Sequence, residues 1–238
     1  MPVPLLTSAL RFPPVEHAIF NGLLAIGGDL SVKRLLLAYH SGIFPWYSEG
    51  EPIQWYSPDP RMVLFPEKLK VSRRLRRTMR GSRFTVTCNR DFRAVIGGCK
   101  AAKRRGPPGT WLTGDMVEAY LRLHEAGHAR SVEVWQEGRL AGGLYGVAVG
   151  RCFCGESMFA HVSDASKVGL VWLVEKLKAE GFTMIDCQFH TPHLENLGAV
   201  EIPRSRYLGL LKSTERPAGA KDQAREGTGR PSRPPGSS

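Results

Sequence analysis

The segment from Phe153 to Ala199 constrains this chain more than any other. It reads Phe-Cys-Gly-Glu-Ser-Met-Phe, then Asp-Ala-Ser-Lys-Val-Gly-Leu-Val-Trp-Leu, then Ile-Asp-Cys-Gln, then His-Leu-Glu-Asn-Leu-Gly-Ala. The first run, with Cys152 before it, reads as a strand ending at Phe159. Ser163 or Asp164 then caps a helix to about Glu180, and Gly181 ends it. Thr183 to Cys187 is a short apolar strand. His193 to Leu197 looks helical, with Gly198 as its stop. Glu156 therefore sits on one strand and Asp186 and Gln188 on another, with a capped helix between them. Such an order brings a few polar groups to the edge of an apolar pocket, which suits attack of an amine on an acyl group.

The flanking sequence supplies the rest of a sheet. Arg130 to Gln136 and Leu140 to Gly150 are strands joined at Glu137-Gly138, a hairpin signal. Thr113 or Asp115 starts a helix through Tyr120 and Leu123 that Gly127 stops. Ser31 caps a helix to about Ser41, ended by Gly42, with Leu35, Leu36 and Tyr39 as its buried stripe. Met1 to Pro14 is a Pro-rich lead-in. Phe44-Pro45-Trp46-Tyr47 and Trp55-Tyr56-Ser57-Pro58-Asp59-Pro60-Arg61 carry prolines at a density that forbids helix and predicts a rigid loop holding aromatics. Ser205 to Leu211 is a last short helix. Strands, helix, strand, helix is an α+β order with a mixed sheet. Ser213 to Ser238 has almost no apolar residues and many Pro, Gly, Ser and Arg, so it reads as a disordered basic tail.

The formal net charge is +11. Nucleic acid is the first partner such a surplus suggests and an anionic membrane the second; a generally basic proteome is the third explanation. The strongest local signal is the run from Lys68 to Arg83, which holds basic residues and no acidic ones. Ser72 caps a helix there whose apolar side is Val71, Leu75 and Met79. Arg73, Arg77 and Arg80 share its other face, where like charges at this spacing repel unless an anion satisfies them. Phosphate contact is the expectation. Lys100, Lys103, Arg104 and Arg105 form a further basic loop. No signal peptide, no apolar run of membrane-spanning length and five cysteines, mostly on expected strands, predict a cytosolic protein with reduced thiols. Cys152-x-Cys154 with His161, His190 and His193 fits no common zinc pattern, so no metal is expected.

From about Gly22 to Leu211 the chain resembles the leucyl/phenylalanyl-tRNA–protein transferases. Six segments carry the resemblance, in family order: Gly22-Leu-Leu-Ala-Ile-Gly-Gly-Asp-Leu, Gly42-Ile-Phe-Pro-Trp, Trp55-Tyr-Ser-Pro-Asp-Pro-Arg, Gly109-Thr-Trp-Leu-Thr, Phe153-Cys-Gly-Glu-Ser-Met-Phe and Ile185-Asp-Cys-Gln. The resemblance implies a small N-terminal α+β domain over residues 1–62. An acetyltransferase-like catalytic domain with a mixed sheet follows over 63–212, with the basic helix 72–80 near its start. It implies transfer of Leu or Phe from charged tRNA to the α-amino group of proteins beginning with Arg or Lys, which marks them for degradation. It assigns Asp186 and Gln188 to the catalytic centre and Glu156 to the substrate pocket. Leu144, Phe153, Met158, Leu170, Leu173, Leu177 and Ile185 would surround the aminoacyl side chain, and Trp46 and Trp111 would lie near the terminal adenosine. Arg73, Arg77 and Arg80 match its cluster for the acceptor stem. Some relatives carry Phe at the positions of Leu173 and Leu177, and a basic residue where this chain has Gly81. A cytoplasmic monomer that needs no membrane is implied.

The residues suit that chemistry. Ester to amide is downhill, so neither ATP nor another cofactor is required, and the chain has no G-x-x-x-x-G-K-[ST] loop. The acceptor ammonium, with a reference pKa near 8, needs only a modest base. If the strand continued, Asp186 and Gln188 would share one face. Packing around an apolar side chain discriminates by only about 1–3 kcal/mol per methylene, which leaves room for Met. Two other readings stand beside this one. A CoA-dependent N-acetyltransferase would need a glycine-rich turn for the pyrophosphate, which Ala160 to Lys167 lacks. A non-catalytic RNA-binding protein would leave Asp186, Gln188 and Glu156 without a purpose.

Overall fold

The computed structural model describes residues 2–102 and 111–214. The N-terminal part forms a four-stranded sheet. It contains β1 (Leu5–Leu6), β2 (Leu23–Gly27), β3 (Phe44–Pro45) and β4 (Gln54–Tyr56), in the order β1-β2-β4-β3. Helix α1 (Val32–His40) crosses between β2 and β3. Ser31 starts it as expected, its hydroxyl accepting from the Arg34 N–H at 3.3 Å. Its buried side is Arg34, Leu35, Ala38 and Tyr39, with Leu36 only half-buried. Arg34 is buried because its guanidinium clamps the lead-in, donating to the carbonyls of Thr7 and Ala9 and to Asp29. The Pro-rich passage is not the loop its composition suggests: β3 and β4 run through it and pair with each other. Pro45 fits because β3 is an edge strand, where a missing N–H costs no ladder bond.

The chain then enters a second, seven-stranded sheet through β5 (Arg61–Leu64). Next come α2 (Arg73–Arg80), β6 (Thr85–Cys88), α3 (Phe92–Ala101), α4 (Gly114–Glu125), β7 (Ala129–Gln136), β8 (Arg139–Val149) and β9 (Cys152–Ala160). The last elements are α5 (Ala165–Ala179), β10 (Met184–Gln188), α6 (Pro192–Asn196), β11 (Val200–Ile202) and α7 (Arg204–Ser213). The strand order is β11-β5-β10-β9-β8-β7-β6. All neighbours are antiparallel except β9 and β10, which the α5 crossover makes parallel. The β7–β8 turn is at Glu137 and Gly138, both at positive φ, as a two-residue hairpin requires. Helix α3, capped by Asp91, and strand β6 carried no signal in the sequence reading.

Strand alternation divides the core in two. Tyr145, Val147, Cys152 and Cys154 join α1, α3, α4, α7 and the first sheet on one side. Leu144, Phe153 and Ile185 join α2 and α5 on the other. The five cysteines are free thiols, three of them buried. The first two residues of the expected tail are ordered: Ser213 ends α7 and Thr214 is buried, its hydroxyl donating to the Leu211 carbonyl. Residues 215–238, like Lys103, Arg104 and Arg105, lie outside the described residues.

Candidate active site

Strands β9 and β10 pair over Met184 to Asp186 and Cys152 to Cys154, and then part. Beyond that point each carries a bulge. In β9, Gly155 and Ser157 face consecutive residues of β8, leaving Glu156 as the extra residue. In β10, Asp186 and Gln188 face consecutive residues of β5, leaving Cys187 extra, and Gln188 takes φ +64°. Bulges re-aim side chains at strand ends. Gly146 opposite Gly155 permits the first one, because a Cβ there would collide with the Cys154 carbonyl and the Phe153 ring.

The parted strands open a cavity of about 390 Å³. Its inner wall is apolar: Leu144 and Phe153 from the sheet, Leu170 and Leu173 from α5, with Met158 and Ile185 at the strand ends. Trp46, Trp111, Phe189 and Leu194 also line it, and Trp46 is 43% exposed at the rim. The polar groups are few, chiefly Glu156, Gln188, Ser157, Thr191 and His193.

Glu156 and Gln188 meet across the strand gap, with Gln188 Nε2 donating to Glu156 Oε1 at 3.0 Å. Behind them the Tyr39 hydroxyl lies 2.8 Å from Oε1 and the Tyr120 hydroxyl 2.7 Å from Oε2, both hydrogen-bond distances. Burial pushes the Glu156 carboxyl up to about 7; the tyrosine and Gln188 hydrogen bonds pull against that and the charge of Asp186 adds to it. His193 at the cavity wall is held below its ordinary value by burial and by Lys167.

Asp186 faces the other way. It is fully buried and does not line the cavity. Its Oδ1 accepts from Arg61 Nε at 2.8 Å and from the Gln188 backbone N–H at 3.0 Å. Its Oδ2 accepts from Arg61 Nη2 at 2.7 Å and from Tyr207 at 2.9 Å. Arg61 also donates to the Gly42 carbonyl at 3.1 Å. Burial works against the Arg61 charge, but Asp186 and Tyr207 outweigh it and raise the guanidinium above its ordinary value.

Comparison with known proteins decides the family. A model described as leucyl/phenylalanyl-tRNA protein transferase matches residues 63–212, and the model of that family's N-terminal domain matches 28–59. A protein from Syntrophobacter fumaroxidans bearing the family name is 57% identical over 211 residues, 89% of this chain and 90% of its own. One from Azotobacter vinelandii is 56% identical over 205 residues, 85% of this chain and 90% of its own. The chain belongs to the leucyl/phenylalanyl-tRNA–protein transferase family. It is an aminoacyltransferase by that membership. Among solved structures, a GCN5-related N-acetyltransferase from Kribbella flavida aligns over 68% of this chain and 58% of its own, at 10% identity and TM-score 0.37. A likeness of that size carries no argument.

Set against the residues the family resemblance singles out, the cavity gathers Glu156, Gln188, Trp46, Trp111, Leu144, Phe153, Met158, Leu170, Leu173 and Ile185. Two do not reach it. Leu177 lies one turn beyond Leu173, buried in the core behind the wall. Asp186 is on the opposite face from the one alternation gave it relative to Gln188, because the bulge breaks the period. Arg73, Arg77 and Arg80 are exposed on α2, which packs by Leu75 into the core that α5 shares. Among the described residues none of the three has a carboxylate partner, whereas neighbouring Arg74 pairs with Asp164 at 3.4 Å. Sequence reasoning missed Arg61, Tyr207, Tyr120 and Phe189 as site residues and took Tyr39 for core alone. Only Arg61 had a signal, its place in the Trp55–Arg61 segment. Among the described residues no group of His, Cys, Asp or Glu is placed to hold a metal ion, and no helix is long and apolar enough to cross a membrane.

Proposed function

We propose that this protein moves Leu, and also Phe and Met, from aminoacyl-tRNA to the N-terminal amino group of proteins beginning with Arg or Lys. Such additions would mark those proteins for degradation in the cytoplasm. The observation that carries the reading is the Glu156–Gln188 pair at the wall of an otherwise apolar cavity. The inner wall takes the aminoacyl side chain, and its volume lies in the range of small-ligand pockets, about 300–1,000 Å³. The ester carbonyl then reaches the strand gap. There the acceptor nitrogen attacks the carbonyl carbon; the C–N bond forms and the bond to the ribose oxygen breaks. Gln188 orients the reacting groups through its amide. Asp186 is a positioning residue: it accepts the Gln188 N–H and so holds the positive-φ turn that aims Gln188 at Glu156. Trp46 and Trp111 offer ring faces to the terminal adenosine, a contact worth about 1–3 kcal/mol that needs no base identity. The unpaired arginines of α2 take phosphates of the acceptor stem.

A CoA-dependent acyltransferase is less well served. The start of α5, where a pyrophosphate would sit, carries the Asp164 carboxylate at φ +70°, paired with Arg74. The test is direct: incubate the protein with charged Leu-tRNA and a peptide beginning with Arg, and weigh the peptide. A gain of one leucine residue is expected. No gain, with acetyl-CoA consumed instead, would reject the reading.

A further inference from the structure

Three oxygen groups close a ring beside the cavity. The Tyr39 hydroxyl is 2.8 Å from Glu156 Oε1, the Tyr120 hydroxyl 2.7 Å from Oε2, and the two hydroxyls 2.6 Å from each other. All three are hydrogen-bond distances, so each contact needs one proton between its oxygens. The tyrosines own one proton apiece. An ionised Glu156 thus leaves one contact with lone pairs facing and nothing between them. A protonated Glu156 fills every contact: Oε2–H to Tyr120, Tyr120 to Tyr39, Tyr39 to Oε1. Gln188 Nε2 also donates to Oε1, which makes that oxygen the carbonyl of the acid.

We propose that Glu156 carries a proton in the free protein, and that its ring with Tyr39 and Tyr120 is the proton relay of the transfer reaction. The inference rests on the function proposed above. The acceptor ammonium first loses one proton to solvent, and its lone pair bonds to the ester carbon. As the carbon–oxygen bond breaks, the ribose oxygen keeps the bonding pair and takes the Glu156 proton. The carboxylate left behind takes a proton from the newly bonded nitrogen, which restores the acid. Tyr39 and Tyr120 touch no substrate, since both are buried behind the wall and neither lines the cavity. They are positioning residues that pass a proton between the two carboxyl oxygens. Burial pushes both phenols well above their ordinary value, so they keep their own protons. Among the described residues, the other titratable groups that act on Glu156 or share its cavity are Asp186, with its partner Arg61, Cys154, Tyr145, Cys187 and His193. The charge of Asp186 and the burial of the site favour the protonated form.

Infrared difference spectra of the free protein, wild type minus Glu156→Gln, test the first half. A carboxylic-acid carbonyl band is expected at pH 6, shifted by deuterium and lost by pH 9. Its absence at pH 6 overturns the proposal, while leucine transfer by the same wild-type sample would leave the proposed function standing. Loss of transfer by wild type itself would instead sink that function. For the relay, Glu156→Gln should lower single-turnover transfer by about 10²-fold or more, with binding of charged tRNA unchanged. Tyr39→Phe and Tyr120→Phe keep the carboxyl but open the ring. Each should slow transfer and move the midpoint of its pH–rate profile. Unmoved midpoints in both would refute the relay, because a merely structural hydroxyl leaves the profile in place.

Discussion

Replacing Asp186 with Ala tests whether this carboxylate holds the site or does its chemistry. Four hydrogen bonds converge on its two oxygens, and both it and Arg61 are sealed from solvent. Removing one member of a buried ion pair leaves the other charge uncompensated, at a cost of about 3–5 kcal/mol. A domain is stable by about 5–15 kcal/mol, so Asp186→Ala should still fold but show a much lower urea midpoint at unchanged slope. Arg61→Met with Asp186→Leu removes both charges and should recover a large part of the loss. Asp186→Asn adds the functional arm, since its side-chain oxygen can still accept the Gln188 N–H. It should keep more transfer than Asp186→Ala, whereas a proton-taking base would be lost equally in both. A loss in Asp186→Ala below about 1 kcal/mol, or a double variant no better than the single, would refute the holding role.

Glu156→Gln should alter the pH dependence of stability. A carboxyl raised from 4.5 to about 7 contributes stability below pH 4.5 that is lost as pH rises through 7, about 3 kcal/mol in all. The variant should therefore gain on wild type by that amount between pH 4.5 and 8 in urea titrations, and a constant difference would contradict the raised value. Leu173→Phe should narrow the cavity and lower phenylalanine transfer relative to leucine in a competition assay. Leu177→Phe, behind the wall, should instead overpack the core by about 1–3 kcal/mol with the preference kept. Arg73→Glu with Arg77→Glu should weaken tRNA binding and flatten its dependence on salt; an unchanged salt slope would remove α2 from the interface.

Much of the scaffold was legible because its signals are local. Ser31, Ser72 and Thr113 each accept the backbone N–H that a helix cap must satisfy, and Glu137-Gly138 supplies the positive φ of a hairpin. The arginine face of α2 was legible for the same reason, since i, i+4 and i+7 need no tertiary knowledge. What stayed hidden is non-local. Nothing near Arg61 announces that β5 will lie between β10 and β11, or that its guanidinium will meet a carboxylate 125 positions later. Tyr39 reads as helix core, and Tyr120 only as a residue within its helix, because burial and function draw on the same face. Among the described residues their hydroxyls reach Glu156 only when α1 and α4 pack against the sheet.

The misplacement of Asp186 shows how far a two-residue period reaches. The family resemblance makes Asp186 and Gln188 a pair, and alternation puts them on one face if the strand continues. The bulge at Cys187 sends them to opposite faces, one to a buried arginine and one to a cavity. The second bulge, at Glu156, turns a carboxyl toward the same gap. The pair that faces the cavity is therefore Glu156 with Gln188, one residue from each parted strand. Asp186 acts on it from beneath, through one backbone N–H. A strand without the bulge would keep the ion pair and lose the Gln188–Glu156 contact at the cavity wall, so the proposed function rests on the irregularity and the regular sheet only presents it.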